Sequence, residues 1–219
     1  MDEIVVRLAR TLASQERLRI LSYLVAHGEK PPIAVGRELG IAGPALSGHL
    51  AKLAAVGLIK RRRSGSWSYC IAESPYAATT LSGQTVAWVR ELLAAPERAL
   101  KNCGLHEVRN RSVADVQTQL HRLIFEAATA FTDLRRLQIL RRLERVGEAS
   151  AETLCNELKM SAWAIGRHTS KLVRRGYLTV RQVDAAEYYR LAAQNKTPVH
   201  ARLLAIVRST WLEKPVRTS

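Results

Sequence analysis

The chain has 219 residues, enough for two small domains, and 47% of them are apolar, enough to fill their cores. Its 34 Lys and Arg against 19 Asp and Glu leave a formal charge of +15 at pH 7, which points to a polyanionic partner. Nucleic acid comes first, because clustered cations release the counterions condensed on phosphates, and an anionic membrane surface second. No apolar run approaches the ~18 residues of a transmembrane helix, and Asp2 and Glu3 stand where a signal peptide carries positive charge, so a cytoplasmic protein without a membrane partner is expected.

In chain order, Ile4, Val5, Leu8 and Leu12 follow helical spacing and predict a leading helix. Ser14 is an N-cap residue type, and Leu18, Ile20, Leu21 and Leu24 form the apolar stripe of a second helix that stops at Gly28. Pro31 and Pro32 open a short helix ending near Leu39. After about three residues of turn, a longer helix runs from about Gly43 to Val56 and is closed by Gly57. The period then changes. Leu58 to Arg63 and Trp67 to Ile71 flank Ser64-Gly65-Ser66 and read as a β-hairpin, followed by a trailing helix from Leu81 to Leu93. Residues 94–111, with Pro96, Gly104 and mixed charge, read as a linker between domains at 1–93 and 112–219. Beyond it, Val113, Val116, Leu120, Ile124, Ala127 and Phe131 predict another leading helix from a Ser112 cap, and Leu203 to Trp211 a last trailing one.

The stretch from Ser14 to Ala72 recurs without a gap from Asp133 to Leu191, at a fixed offset of 119. Arg17, Glu29, His49, Lys52, Gly57, Arg62 and Tyr69 meet Arg136, Glu148, His168, Lys171, Gly176, Arg181 and Tyr188. Such a repeat is too long for a solenoid unit and predicts two globular copies. Each copy reads as two short helices joined by a tight turn and followed by a hairpin, the winged helix-turn-helix arrangement. The expected fold class is therefore mainly α with small β-hairpin wings.

Cys70, Cys103 and Cys155 form no paired spacing and are expected as reduced thiols, Cys70 and Cys155 buried as small apolar groups. Cys103 with His106 is a loose pair, short of the three or four converging ligands that a metal needs, so no metal or other cofactor is expected.

Leu12 to Leu21, then Arg37-Glu38-Leu39-Gly40-Ile41, Leu46-Ser47-Gly48-His49-Leu50-Ala51-Lys52-Leu53 and Ala55-Val56-Gly57-Leu58-Ile59 resemble the prokaryotic ArsR/SmtB winged-helix repressors. The likeness covers nearly all of the first copy; the second is more divergent, carrying it through Arg136 to Leu140 and His168-Thr169-Ser170-Lys171-Leu172. The resemblance implies a DNA-binding dimer whose leading and trailing helices form the interface, here a covalent pseudo-dimer within one chain. It leaves higher homo-oligomers open and identifies no effector. The family's sensor thiols have no counterpart in Ile33-Ala34-Val35-Gly36, and residues 77–93 offer no His and only Glu91, so metal sensing is not expected.

With Leu46, Leu50 and Leu53 turned inward at 100° per residue, the outer face of the first recognition helix carries Pro44, Gly48, Ala51, Lys52 and Ala55, with Ala45, Ser47 and His49 nearby. In the second copy that face carries Trp163, Arg167, Ser170, Lys171 and Arg174, with His168 at its edge. Arg167 has the fork that reads guanine bidentately, whereas the smooth first face suits close groove approach. Arg61, Arg62 and Arg63 beside Lys60 on the first wing, and Arg181 on the second, are expected at backbone phosphates. His49 and His168 read equally as structural hydrogen-bonding groups, and Trp67, Tyr69, Tyr188 and Tyr189 as packing between hairpin and core. A pocket between the trailing helices is expected near Trp88 and Trp211. The leading reading is a sequence-specific double-stranded DNA-binding regulator without catalysis; a winged-helix protein-interaction module with nonspecific nucleic-acid binding is the alternative. No Gly-rich nucleotide loop or catalytic constellation supports an enzyme.

Overall fold

Val5, Leu8 and Leu12 are buried along one face of the first helix, α1 (Asp2–Leu12). The computed structural model describes residues 1–105 and 112–212, which are mainly helical with two small antiparallel sheets. α2 (Gln15–His27) follows Ser14, whose backbone is extended as at an N-cap but whose side chain makes no capping bond; Asp133, its equivalent, accepts from the Arg135 N–H at 2.9 Å. α3 (Pro32–Leu39) and α4 (Gly43–Ala55) come next. α4 ends as Gly57 N–H donates to the Ala54 carbonyl and Leu58 N–H to that of Leu53, both at 2.9 Å. Gly57 has φ +66°, and a Cβ there would stand 2.6 Å from the Tyr76 ring, so any other residue would strain the backbone and displace that ring.

β1 (Lys60–Ser64) pairs antiparallel with β2 (Trp67–Ile71), and α5 (Leu81–Ala94) closes the first copy from its Thr80 cap. The expected linker is partly structured: α6 (Pro96–Asn102) buries Ala99 and Leu100. Residues 106–111 of that linker lie outside the described residues. α7 (Val113–Ala128) starts in a capping box between Ser112 and Asp115 and runs into a 3-10 turn at Thr129–Phe131. α8 (Leu134–Val146), β3 (Glu148–Ser150), α9 (Ala151–Leu158), α10 (Ala162–Arg174), β4 (Leu178–Val183), β5 (Ala186–Leu191) and α11 (Pro198–Leu212) complete the chain. β3 pairs with β5, a strand the sequence reading lacks. At the same place the first copy has a single bridge, Lys30 to Cys70, and each of those residues lies 119 before its counterpart in the pair Ala149 and Tyr189. Among the described residues, no helix is long and apolar enough to cross a membrane.

The two copies share one contiguous core, and they meet by a reciprocal rule. Ser22 Oγ of α2 lies 2.6 Å from His121 Nε2 of α7. Their counterparts at the 119 offset, Arg141 and Asp2, also meet, at 3.0 Å, between α8 and α1. The two contacts thus join equivalent positions of the two repeats in both directions. α5 and α11 pack on each other, with Gln84 Nε2 donating to Ser209 Oγ at 3.3 Å.

Candidate nucleic-acid interface

Burial of Leu46, Leu50 and Leu53 turns the opposite side of α4 outward, so Pro44, Ala45, Ser47, Gly48, Ala51, Lys52 and Ala55 are exposed. His49 is half-buried and its Nδ1 has no hydrogen-bond partner among the described residues. In α10, Ile165, Thr169 and Leu172 face the core while Trp163, Arg167, Ser170 and Arg174 face solvent. Trp163 is 72% exposed, and the Arg167 guanidinium lies 4.8 Å from its ring centre, a cation–π contact that holds both side chains at the surface. The N-terminal turn below them is fixed by Ser161, whose Oγ accepts from the Ala164 N–H at 3.2 Å.

Two expected contact residues are drawn inward. His168 is 1% exposed because it shares the core-facing stripe with Ile165 and Leu172, and this removes it from the surface. Burial, reinforced by the guanidiniums of Arg167, Arg136 and Arg135 against the pull of Asp133, holds its pKa below the ordinary imidazole value. Lys171 is half-buried, and burial together with the charges of Arg175, Arg174 and Arg136 lowers its pKa.

The hairpins require a further correction. Arg62 does not extend as a free cation: its Nε and a terminal N–H donate to the two carboxylate oxygens of Glu29 at 3.0 and 2.8 Å, and it lies 5.4 Å from the Tyr69 ring centre. Arg181 repeats the arrangement with Glu148 at 2.8 and 2.5 Å and with Tyr188 at 5.1 Å. In each pair the Glu hydrogen bond raises the arginine pKa, and the arginine in turn lowers that of the carboxyl. Strand alternation sends Arg61 and Arg63 to the other side of β1, where neither has an ion pair among the described residues. Tyr189 is buried as expected, but Trp67, beside the hairpin turn and paired with Ser64, is 61% exposed instead of packing on the core.

Cys70 is buried in β2, and Cys155 is half-buried on α9. His106, the expected partner of Cys103, lies outside the described residues. Trp88 lines a cleft with Leu92, Ala99, Val199 and Arg202, formed by α5, α6 and α11; Trp211, expected beside it, does not line that cleft.

Sequence reasoning missed the part played by two arginines, in the first turns of α2 and α8, that reach back to the ends of the leading helices. Arg17 donates to the carbonyls of Thr11 and Arg10 at 2.6 and 2.8 Å, and Arg136 to those of Ala130 and Thr129 at 2.8 and 3.1 Å. Each satisfies carbonyls left open at a helix C-terminus. Their recurrence at the 119 offset was the available signal. Comparison of the chain with protein-family models, with curated proteins and with solved structures yields no match.

Proposed function

We propose that the chain is a double-stranded DNA-binding regulator, built of two winged helix-turn-helix units joined as a covalent pseudo-dimer. The observation that supports this reading is the reciprocal contact of Ser22 with His121 and Asp2 with Arg141, which is what an approximate two-fold between the two copies, and hence between α4 and α10, would produce. Paired helices so related suit half-sites one helical turn, about 34 Å, apart. The formal charge of +15 supports a polyanionic partner, and the likeness of the first copy to ArsR/SmtB repressors supports transcriptional control.

The two faces have different tasks in this reading. Arg167, stacked on Trp163, is the donor for a base edge in the major groove. The side of α4 with Pro44, Gly48 and Ala51 approaches the groove closely through small groups, with Lys52, Arg61 and Arg63 at phosphates.

Selection of bound genomic fragments, followed by sedimentation on the minimal site, tests the reading. One chain per site of two half-sites is expected, and Arg167→Ala should lose about 1–3 kcal/mol on that site and far less on scrambled duplex. Equal affinity for all duplexes would instead favour a protein-interaction module with nonspecific nucleic-acid binding.

A further inference from the structure

A cleft of about 600 Å3 opens between α1, the start of α2, α4 and the first turn of α8. Arg7, Arg10, Arg17 and Lys52 line it, against a single carboxylate, that of Glu3. None of the four cations makes an ion pair among the described residues. Two of them are already positioned. Arg17 is held by the Thr11 and Arg10 carbonyls, and Arg10 Nε donates across to the Thr132 carbonyl at 2.9 Å. The terminal N–H groups of Arg10 have no partner among the described residues.

The second copy shows what this cluster lacks. Arg17 and Lys52 recur as Arg136 and Lys171, but at the position of Arg7 stands Glu126. Glu126 gathers Lys196 Nζ at 3.0 Å, Arg175 at 3.3 Å and Arg122 at 3.4 Å. Although burial opposes it, the Lys196 hydrogen bond and these cations hold its carboxyl below the usual range. The second copy thus has an anion at this position, paired with cations that have no counterparts in the first, whereas the first has a fourth cation there beside an open cleft. Arginine forks held in place match the tetrahedral oxygens of phosphate, and several cations against one carboxylate favour an anion of more than one charge.

We propose that the cleft of Arg7, Arg10, Arg17 and Lys52 is a phosphate-binding site, whose ligand is a phosphate group of charge two or more in total, supplied by a small polyphosphate or phosphate ester or by adjacent phosphates of a duplex. The site does not rest on the DNA reading, since three of its four cations lie outside the recognition helices.

Calorimetric titration of the full chain with inorganic pyrophosphate at low ionic strength tests it. Wild type should bind one saturating equivalent. Arg7→Glu, which installs the residue type of the second copy, should weaken binding by roughly 10-fold or more, as when a charge-assisted hydrogen bond gives way to a like charge. Arg98→Glu makes the same charge change at an exposed position of α6 and should leave the affinity within about twofold, which separates the site from net charge. Arg7 is exposed, and unchanged circular dichroism and melting midpoint confirm that the variant folds. Absence of saturable binding, or equal losses in the two variants, would overturn the site. Titration in the presence of saturating duplex then identifies the source: displacement of pyrophosphate assigns the cleft to backbone phosphates, and simultaneous binding assigns it to a soluble ligand. Both results retain the site, and failure of duplex binding alone leaves the pyrophosphate result intact.

Discussion

Arg62 and Arg63 are neighbours in sequence and opposites in surroundings. Arg62 spends its fork on Glu29 and its flat face on Tyr69, while Arg63 on the other side of β1 has no ion pair among the described residues. An arginine already paired with carboxylate releases few counterions from DNA. Affinity measured across a salt series should therefore show Arg63→Ala lowering the slope by about one unit and Arg62→Ala changing it by much less. A full unit lost from Arg62→Ala would mean that the Glu29 pair opens on DNA. The clamp was legible as a pattern before it was legible as a structure, because Glu29, Arg62 and Tyr69 recur together as Glu148, Arg181 and Tyr188. What sequence could not give was the pairing: Glu29 and Arg62 are 33 residues apart and meet only when β2 folds back beside the end of α2. His168 illustrates a similar limit, since its place at the edge of an apolar stripe did not decide between surface and core.

Among the elements, α4 is unusual in carrying Gly43 and Gly48, with open space around both Cβ positions. Glycine inside a helix costs about 0.5–1 kcal/mol relative to alanine, so Gly48→Ala should stabilise the fold by about that amount in urea unfolding. If α4 enters a groove as proposed, the added methyl on its exposed face should at the same time weaken duplex binding. Greater stability with unchanged affinity would show that this face does not approach DNA closely. The long helices were readable because apolar residues at spacings of three and four mark a buried stripe, as in α2 and α8. α6 and β3 escaped for physical reasons. α6 has seven residues between Ala95 and Cys103, and the burial of Ala99 and Leu100 sustains it more than any periodicity of its own. β3 is Glu-Ala-Ser, a sequence without strand character that extends only because β5 offers it an edge. The outward faces of α4 and α10 followed from periodicity alone, but the stacking of Arg167 on Trp163 and the clamping of Arg181 required coordinates.

At the scale of the whole chain, a repeat within one polypeptide permits what a dimer of identical subunits forbids: two contacts at equivalent positions of the repeat hold different chemistry. One is the Asp2–Arg141 ion pair, and the other is the hydrogen bond between Ser22 and His121, buried where α2 meets α7. Burial first, and the Arg19 charge second, hold the His121 imidazole at a pKa of about 4, against an ordinary value of 6.5. Between those values the unfolded chain takes up a proton that the folded chain refuses. Stability is therefore complete above pH 6.5 and declines as pH falls toward 4. His121 alone should cost about 2 kcal/mol at pH 5 relative to pH 8. His200, packed near Tyr177 and also held at about 4 by burial, acts in the same direction. His121→Gln keeps a donor near Ser22 but does not titrate, so it should flatten the pH dependence of the urea midpoint in part, while leaving the contributions of His200 and His168 in place. The contrast with Asp2→Asn isolates the cause: loss of the Asp2–Arg141 ion pair should lower stability while the decline that His121 produces remains. A His121→Gln protein that still lost stability as steeply as wild type would place the titrating group elsewhere in the shared core.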